Sequence, residues 1–187
     1  LVIIQRSNGD VLLSASLINQ LHNNLKPEAI DLLVNLDTLP IAKTLPNVRQ
    51  IYTFSYKEKN ENKFNQERKI INKIYRKYDL SINLTSSDRS VIYALLASKK
   101  SISAVEKNNL KAWWKKILLK YHFTYDLNSH ILINNLKPLS LLGLNALNHQ
   151  ASPKLSKIAS STIQDKLRKL KITKFIIFHP SAQYNYK

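Results

Sequence analysis

The sequence predicts an α/β protein, a Rossmann-like parallel sheet with helices on both faces, and three observations predict it. Short apolar runs alternate with segments of helical spacing from Leu1 to Ala97, the pattern left by successive β-α-β units. Clusters of polar or charged residues follow several of the apolar runs, as at Arg6–Asp10 and Asn83–Arg89, where the ligands of such sheets sit. A length of 187 residues at 44% hydrophobic and 22% charged suits one globular domain with a piece of a second.

Leu1–Gln5 is an apolar run that stops at Arg6-Ser7-Asn8-Gly9-Asp10; in Val11–Leu25 the residues Val11, Ala15, Ile18, Leu21 and Leu25 recur at helical spacing. Strand, tight turn and helix follow from this. Ile30–Val34 and Val48–Phe54 read as strands with a short helical or irregular stretch between them, ending at Leu45-Pro46-Asn47. The polar segment Lys57–Lys63 leads into a basic amphipathic helix reaching Tyr78, with Ile70, Ile71, Ile74 and Tyr75 on its apolar side. Asp79–Leu84 is the next strand, and Ser87–Ala97 is a helix opened by Ser-Ser-Asp, good N-cap chemistry. Beyond Lys99 the spacing predicts a strand at Ile102–Val105 and basic helices at Leu110–Lys120 and Thr162–Leu170. It also predicts a helix over Ser129–Leu142 that ends at Gly143. Asn145–Ser156 reads as a linker, and Phe175–Phe178 as a buried strand running into His179-Pro180-Ser181.

Composition excludes several functions. With only Gly9 and Gly143, neither a G-x-G-x-x-G dinucleotide loop nor a G-x-x-x-x-G-K-[ST] phosphate loop can be built, since both need clustered glycines. The absence of cysteine removes disulfides and thiolate nucleophiles. No H-E-x-x-H, D-x-D or G-x-S-x-G occurs, so zinc hydrolase, metal-dependent sugar transferase and serine hydrolase readings lack support. No apolar run approaches the roughly 18 residues of a membrane span. A net charge of +17, from 29 Lys plus Arg against 12 Asp plus Glu, calls for an anionic partner: nucleic acid, an acidic membrane or a phosphorylated substrate.

The candidate chemistry lies at the predicted strand ends. Asp10, after Gly9, reads either as a first-turn carboxylate complementing the helix dipole or as a general base at the mouth of the first βα loop. Gly9 would let the chain turn there and bring a substrate close. Arg89 reads either as a solvated helix residue or as a grip on a phosphate or carboxylate. His179 is a packed or hydrogen-bonded histidine, or a catalytic one. Trp113-Trp114 with Tyr121, Phe123 and Tyr125 interleaves aromatics with lysines, which suits nucleic-acid stacking or an interfacial helix on an anionic membrane. No recognised nucleic-acid motif accompanies it, which makes nucleic acid the weaker reading.

Four segments, in this order, resemble the bacterial lipopolysaccharide heptosyltransferase family, inverting glycosyltransferases of the GT-B fold. Val2-Ile3-Ile4-Gln5-Arg6-Ser7-Asn8-Gly9-Asp10-Val11-Leu12-Leu13 is similar to the family's opening strand and S-x-x-G-D-V-L turn. Pro27–Val34 with Leu45-Pro46-Asn47-Val48 is similar to its "PEA-IDLLV" and "NPNV" segments. Tyr78–Leu84 with Arg89-Ser90 resembles "YDLVIDLQG…RS", and Phe175–Ala182 with Lys187 resembles the "HPGAS…K" strand that opens the second domain. The departures are Asn83 for the family's Asp, Thr85-Ser86 for its Gln-Gly, Ser181 for its Gly, and a turn at Ser7-Asn8-Gly9 shorter by one residue.

The resemblance implies that residues 1–172 form the N-terminal, acceptor-side domain of a GT-B enzyme and that 173–187 open the nucleotide-sugar domain. If the polypeptide ends at Lys187, no transfer is expected of it. The implied reaction moves heptose from ADP-heptose to the lipopolysaccharide inner core with inversion, without metal or cofactor. It would take place in the cytoplasm, peripherally at the inner face of the inner membrane. Asp10 would be the base that deprotonates the acceptor hydroxyl, Lys187 would steady the departing diphosphate, and Ser7, Gly9, Arg89 and Ser181 would contact substrates. The partners implied are the nucleotide sugar, a phosphorylated glycolipid acceptor of the Kdo-lipid A type and the anionic membrane surface. The alternatives are a related transferase using another nucleotide sugar, and a basic Rossmann-like binding module for nucleic acid or anionic lipid without catalysis.

Overall fold

The computed structural model describes residues 1–107, 112–126, 128–145 and 161–176. The chain divides into two compact units, Leu1–Ser156 and Lys157–Lys187. In the first, β1 (Val2–Ile4) is followed by α1 (Asn8–Leu13), α2 (Ala15–Leu25) and β2 (Asp31–Asn35). A 3-10 turn (Leu36–Thr38) and α3 (Leu39–Ala42) lead to β3 (Gln50–Phe54), and α4 (Tyr56–Ile74) leads to β4 (Leu80–Asn83). Then come α5 (Asp88–Ala97), β5 (Lys100–Val105), α6 (Trp113–Leu118), β6 (Tyr121–Thr124) and α7 (Ile131–Leu141). In the second unit α8 spans Ser161–Lys169.

The six strands form one parallel sheet in the order β3-β2-β1-β4-β5-β6. This is the α/β architecture that the sequence predicts. Alternation across the pleat sends successive side chains to opposite layers. Val2, Ile4, Leu32, Val34, Ile82 and Ile102 pack beneath Val11, Ala15 and Ile18 of α1–α2, Ala42 of α3 and Leu132, Leu136 and Leu139 of α7. On the other face Ile3, Leu33, Tyr52 and Phe54 pack against Ile70 and Ile74 of α4 and Tyr93, Ala94 and Ala97 of α5. Val105 joins Val91 of α5 and Trp114 of α6 on that same side. Helices on both faces explain why β2 is buried along its whole length, its polar ends Asp31 and Asn35 included.

Several elements differ from the sequence reading. The first helix begins at Asn8 rather than Val11 and breaks at Ser14, whose hydroxyl donates to Val11 O at 2.6 Å. A serine that satisfies a carbonyl of the preceding turn competes with the helical ladder. Helix α4 starts at Tyr56, so the polar segment 57–63 is helical backbone. The predicted basic helix at 110–120 is shorter, and Tyr121–Thr124 forms the edge strand β6, in which Phe123 is buried. Gly143 adopts φ 71° just after α7, the left-handed C-terminal position expected of it. Most of the expected linker at 145–156 lies outside the described residues. The buried strand expected at 175–178 is not formed by its described half: Phe175 and Ile176 are exposed and pair with no strand among the described residues, so nothing covers their apolar side chains, and 177–178 lie outside the described residues.

At the amino-terminal edge of the sheet the Asp31 carboxylate is fully buried. It accepts from Arg49 Nε at 2.9 Å and Nη2 at 2.6 Å, and from the Tyr78 hydroxyl at 2.7 Å. Burial pushes the carboxyl up, but the hydrogen bonds from Arg49 and Tyr78 outweigh it and hold it below its ordinary value of 3.8. Burial, together with the bonds to Tyr52 and Asp31, raises the Tyr78 phenol, which therefore stays protonated and donates. Because the folded-state pKa is lowered, the stabilisation is present above about pH 4 and is lost as the pH falls below it. Asp31→Asn is expected to lower unfolding free energy by about 2 kcal/mol in urea titration at neutral pH, and to shrink that deficit in acid.

Candidate functional site

Strand order decides where a ligand can enter. From β1 the chain runs outward through β2 to β3, then returns to place β4 on the other side of β1. The crossovers that leave β1 and β4 lie on opposite faces of the sheet, so a crevice opens at the carboxyl ends of these two strands, the topological switch point of such folds. The two loops that bound it are Gln5–Asp10 and Leu84–Arg89. They are tied directly, since the Gln5 amide donates to Thr85 Oγ1 at 2.9 Å. Two of the three regions singled out in the sequence therefore meet. The third, with His179, Ser181 and Lys187, lies outside the described residues.

Asp10 stands at the third position of α1, with Ser7 as N-cap. Its Oδ2 accepts from the Ser7 amide at 3.2 Å, the Ser7 hydroxyl at 3.0 Å and Arg6 Nε at 3.0 Å. The first of these is the reciprocal half of a capping box. The Arg6 guanidinium in turn lies 4.6 Å from the centroid of the Tyr125 ring, a cation-π contact that restrains the arginine. Among the described residues these bonds converge on one oxygen and leave Oδ1 to accept another donor, with the side chain still 18% exposed. The capping role and the general-base role are thus compatible, one on each oxygen. Gly9 plays a different part from the one expected. It lies inside α1 without a positive φ, and a Cβ added there would meet only Ser7 Oγ at 4.0 Å. It is not needed for the turn, but it leaves open space beside Asp10.

Across the crevice the side chains of the β4 loop turn mostly inward. Asn83 is fully buried; its Nδ2 donates to Thr85 O at 2.6 Å, Ser103 Oγ at 2.8 Å and Ser90 Oγ at 3.2 Å, and its Oδ1 accepts from the Thr85 amide at 3.0 Å. Asn83 therefore builds the loop. Ser87 caps α5 through the Ser90 amide. Arg89 is half-buried, its guanidinium 3.7 Å from the Phe54 ring centroid and 3.0 Å from the Tyr56 hydroxyl that accepts from it. Stacking on a flat ring presents a guanidinium at a fixed place, so Arg89 adds a positioned cation at this edge.

Sequence reasoning missed Gln5, Asn35 and Lys115. Gln5 Nε2 and Asn35 Oδ1, at the carboxyl ends of β1 and β2, are buried without a partner among the described residues. An orphaned polar atom costs about 1–3 kcal/mol, so both mark places for a water or a ligand hydroxyl. The signal available was a polar residue closing each apolar run. Lys115 is buried, donating to Ser86 O at 2.5 Å and pairing with Asp88 at 2.7 Å; nothing distinguishes it in sequence from its exposed neighbours. A cavity of about 330 Å³ lies at the opposite, amino-terminal edge between Leu21, Pro27, Arg49 and Tyr78, away from the Asp10 crevice. Among the described residues no three His, Asp or Glu side chains gather as metal ligands, and no helix is long and apolar enough to cross a membrane.

No family model matches the chain. It is 26% identical over 191 residues to lipopolysaccharide heptosyltransferase 3 of Escherichia coli, covering 97% of this chain and 54% of the relative. A protein of the same name from strain K12 is 29% identical over 144 residues, covering 74% of this chain and 41% of the relative. The chain thus spans about half the length of the curated relatives it matches. Among solved structures it is similar to a glycosyl transferase family 9 protein from Veillonella parvula, with a TM-score of 0.71 and 16% identity over 92% of this chain and 49% of that one. It is also similar to the Escherichia coli heptosyltransferase WaaC with ADP-2-deoxy-2-fluoro heptose, with a TM-score of 0.68 and 13% identity over 82% and 51% of the two chains. The heptosyltransferase resemblance read from the motifs therefore stands, and the fold matches half of each glycosyltransferase.

The inward geometry of the β4 loop carries a consequence for stability. Replacing Asn83 by the acid that the resemblance would place there removes the donor to Thr85 O. Asn83→Asp is expected to cost roughly 1–3 kcal/mol, read as a fall in the midpoint of thermal unfolding. Unchanged stability would instead free this residue for ligand contact.

Proposed function

We propose that this chain belongs with the lipopolysaccharide heptosyltransferases and is the acceptor-side half of an enzyme that transfers heptose from ADP-heptose to a phosphorylated inner-core glycolipid with inversion. The observation that carries the reading is the Asp10 carboxylate at the switch point between β1 and β4, one oxygen held by Arg6 and Ser7 and the other open. A base fixed at an open crevice is what deprotonation of an attacking hydroxyl requires.

In the proposed step the acceptor hydroxyl oxygen bonds to the anomeric carbon as the bond from that carbon to the ADP oxygen breaks. Asp10 Oδ1 takes the hydroxyl proton, and ADP leaves from the opposite face of the sugar with the bonding electrons. Gln5 Nε2 and Asn35 Oδ1 would find partners in acceptor hydroxyls. Arg89, held by Phe54 and Tyr56, would meet an acceptor phosphate. Ser181 and Lys187 would belong to the donor side, where a cation stabilises the charge that develops on the diphosphate. No step requires a metal or a cofactor. The acceptor's lipid would hold the enzyme peripherally at the cytoplasmic face of the inner membrane, and the net charge of +17 would favour that anionic surface.

Asp10→Asn in the full-length protein is expected to cut turnover with ADP-heptose by roughly 10²–10⁴. Its cost in stability is expected to stay within about 1 kcal/mol, because an amide oxygen still accepts from Ser7. Retained turnover would refute the base assignment and favour a binding module. A large loss of stability would reduce Asp10 to its capping role.

A further inference from the structure

Helix α6 is turned inside out. Its one fully buried side chain is Lys115, 1% exposed, while Trp113 is 65%, Ile117 69% and Leu118 59% exposed. An amphipathic helix docks its apolar stripe and leaves its charges in water. Here the ion pair of Lys115 with Asp88 and its bond to Ser86 O hold the charged side inward. Trp113, Lys116 and Ile117, at i, i+3 and i+4, therefore share one outward face, and Lys116 is exposed there. The exposed apolar surface continues onto α5 through Ile92. The groove beside it, between α5 and α6, carries Arg76 and Lys99 on its rim and no acidic side chain.

We propose that this face of α6 and α5 docks on an anionic lipid bilayer, with Trp113, Ile117 and Leu118 entering the headgroup boundary and Lys116, Lys120, Arg76 and Lys99 meeting lipid phosphates. An exposed tryptophan beside aliphatic residues and a lysine rim is the chemistry of interfacial binding, and basic residues near a negative leaflet add to it. Burying a lysine to expose a tryptophan makes no sense for a surface that faces only water. Lys115 fastens the first turn of α6 to the Ser86–Asp88 turn, while Arg76 and Lys99 lie just before β4 and β5, so the docked face runs along the flank of the sheet from its carboxyl edge to its amino-terminal edge. From the function proposed above this inference takes only the membrane location of the acceptor.

The test uses the 187-residue chain without donor or acceptor, so it is independent of sugar transfer. Both tryptophans of the chain, Trp113 and Trp114, flank the docked face, which makes their fluorescence a local probe. With vesicles of phosphatidylglycerol and phosphatidylethanolamine the emission is expected to shift to the blue, and with phosphatidylcholine alone to stay in place. Ile117→Ser with Leu118→Ser, and separately Lys116→Glu with Lys120→Glu, are each expected to weaken vesicle binding about tenfold or more with unchanged far-ultraviolet circular dichroism. Unshifted emission with anionic vesicles would overturn the proposal, as would variants that bind like the parent. So would a concentration-dependent dimer that Ile117→Ser abolishes, since the covering partner would then be a second copy.

Discussion

The hydrogen bond from the Gln5 amide to Thr85 Oγ1 holds together the two loops on which the candidate site depends. Strands β1 and β4 are neighbours in space though they are far apart in sequence. Beyond their last paired residues the crossovers diverge to opposite faces. Without a tie at the point of divergence the crevice would have no fixed width. The side chain of Thr85 supplies it, and the Asn83 hub fixes Thr85 in turn. On the other wall the Ser7–Asp10 capping box and the Arg6–Tyr125 contact hold the carboxylate. The proposed base is thereby held on its own wall, and the opposite wall is held by groups turned inward.

This division of labour shows what the sequence could reveal. Central strands of a parallel sheet are covered on both sides, so β1 announces itself as an apolar run, whereas β2 and β4 set buried polar residues, Asp31, Ser81 and Asn83, among their apolar ones. β6, at the edge, buries only Phe123 and was absorbed into a pattern of aromatics among lysines. Asp10 and Arg89 were legible because polar residues at strand ends point to ligand chemistry. Gly9 was legible as part of a motif but not in its role, because a capping box starts α1 earlier than the apolar spacing does. Lys115 was opaque because its partners, Ser86 O and Asp88, are distant in sequence and no local pattern encodes them. Asn83 bonds mostly within its own loop, to Thr85 and Ser90, and what the sequence hid was its burial against Ser103 of β5.

The high positive charge also resolves into parts with separate tasks. Arg49 neutralises Asp31 at the amino-terminal edge, Arg6 steadies Asp10, Arg89 is stacked at the crevice, and Lys115 is spent inside the fold to fasten α6. The cations that remain on the surface near α6 surround apolar side chains rather than one another.

If the carboxyl edge between β1 and β4 receives the acceptor as proposed, nuclear magnetic resonance of the isotope-labelled chain, titrated with a deacylated, phosphorylated inner-core glycolipid, is expected to show amide shift changes at Gln5, Arg6, Gly9, Asp10 and Arg89. Changes confined to the opposite edge around Arg49 and Tyr78, or no changes in the Gln5–Asp10 loop at saturating ligand, would contradict that proposal.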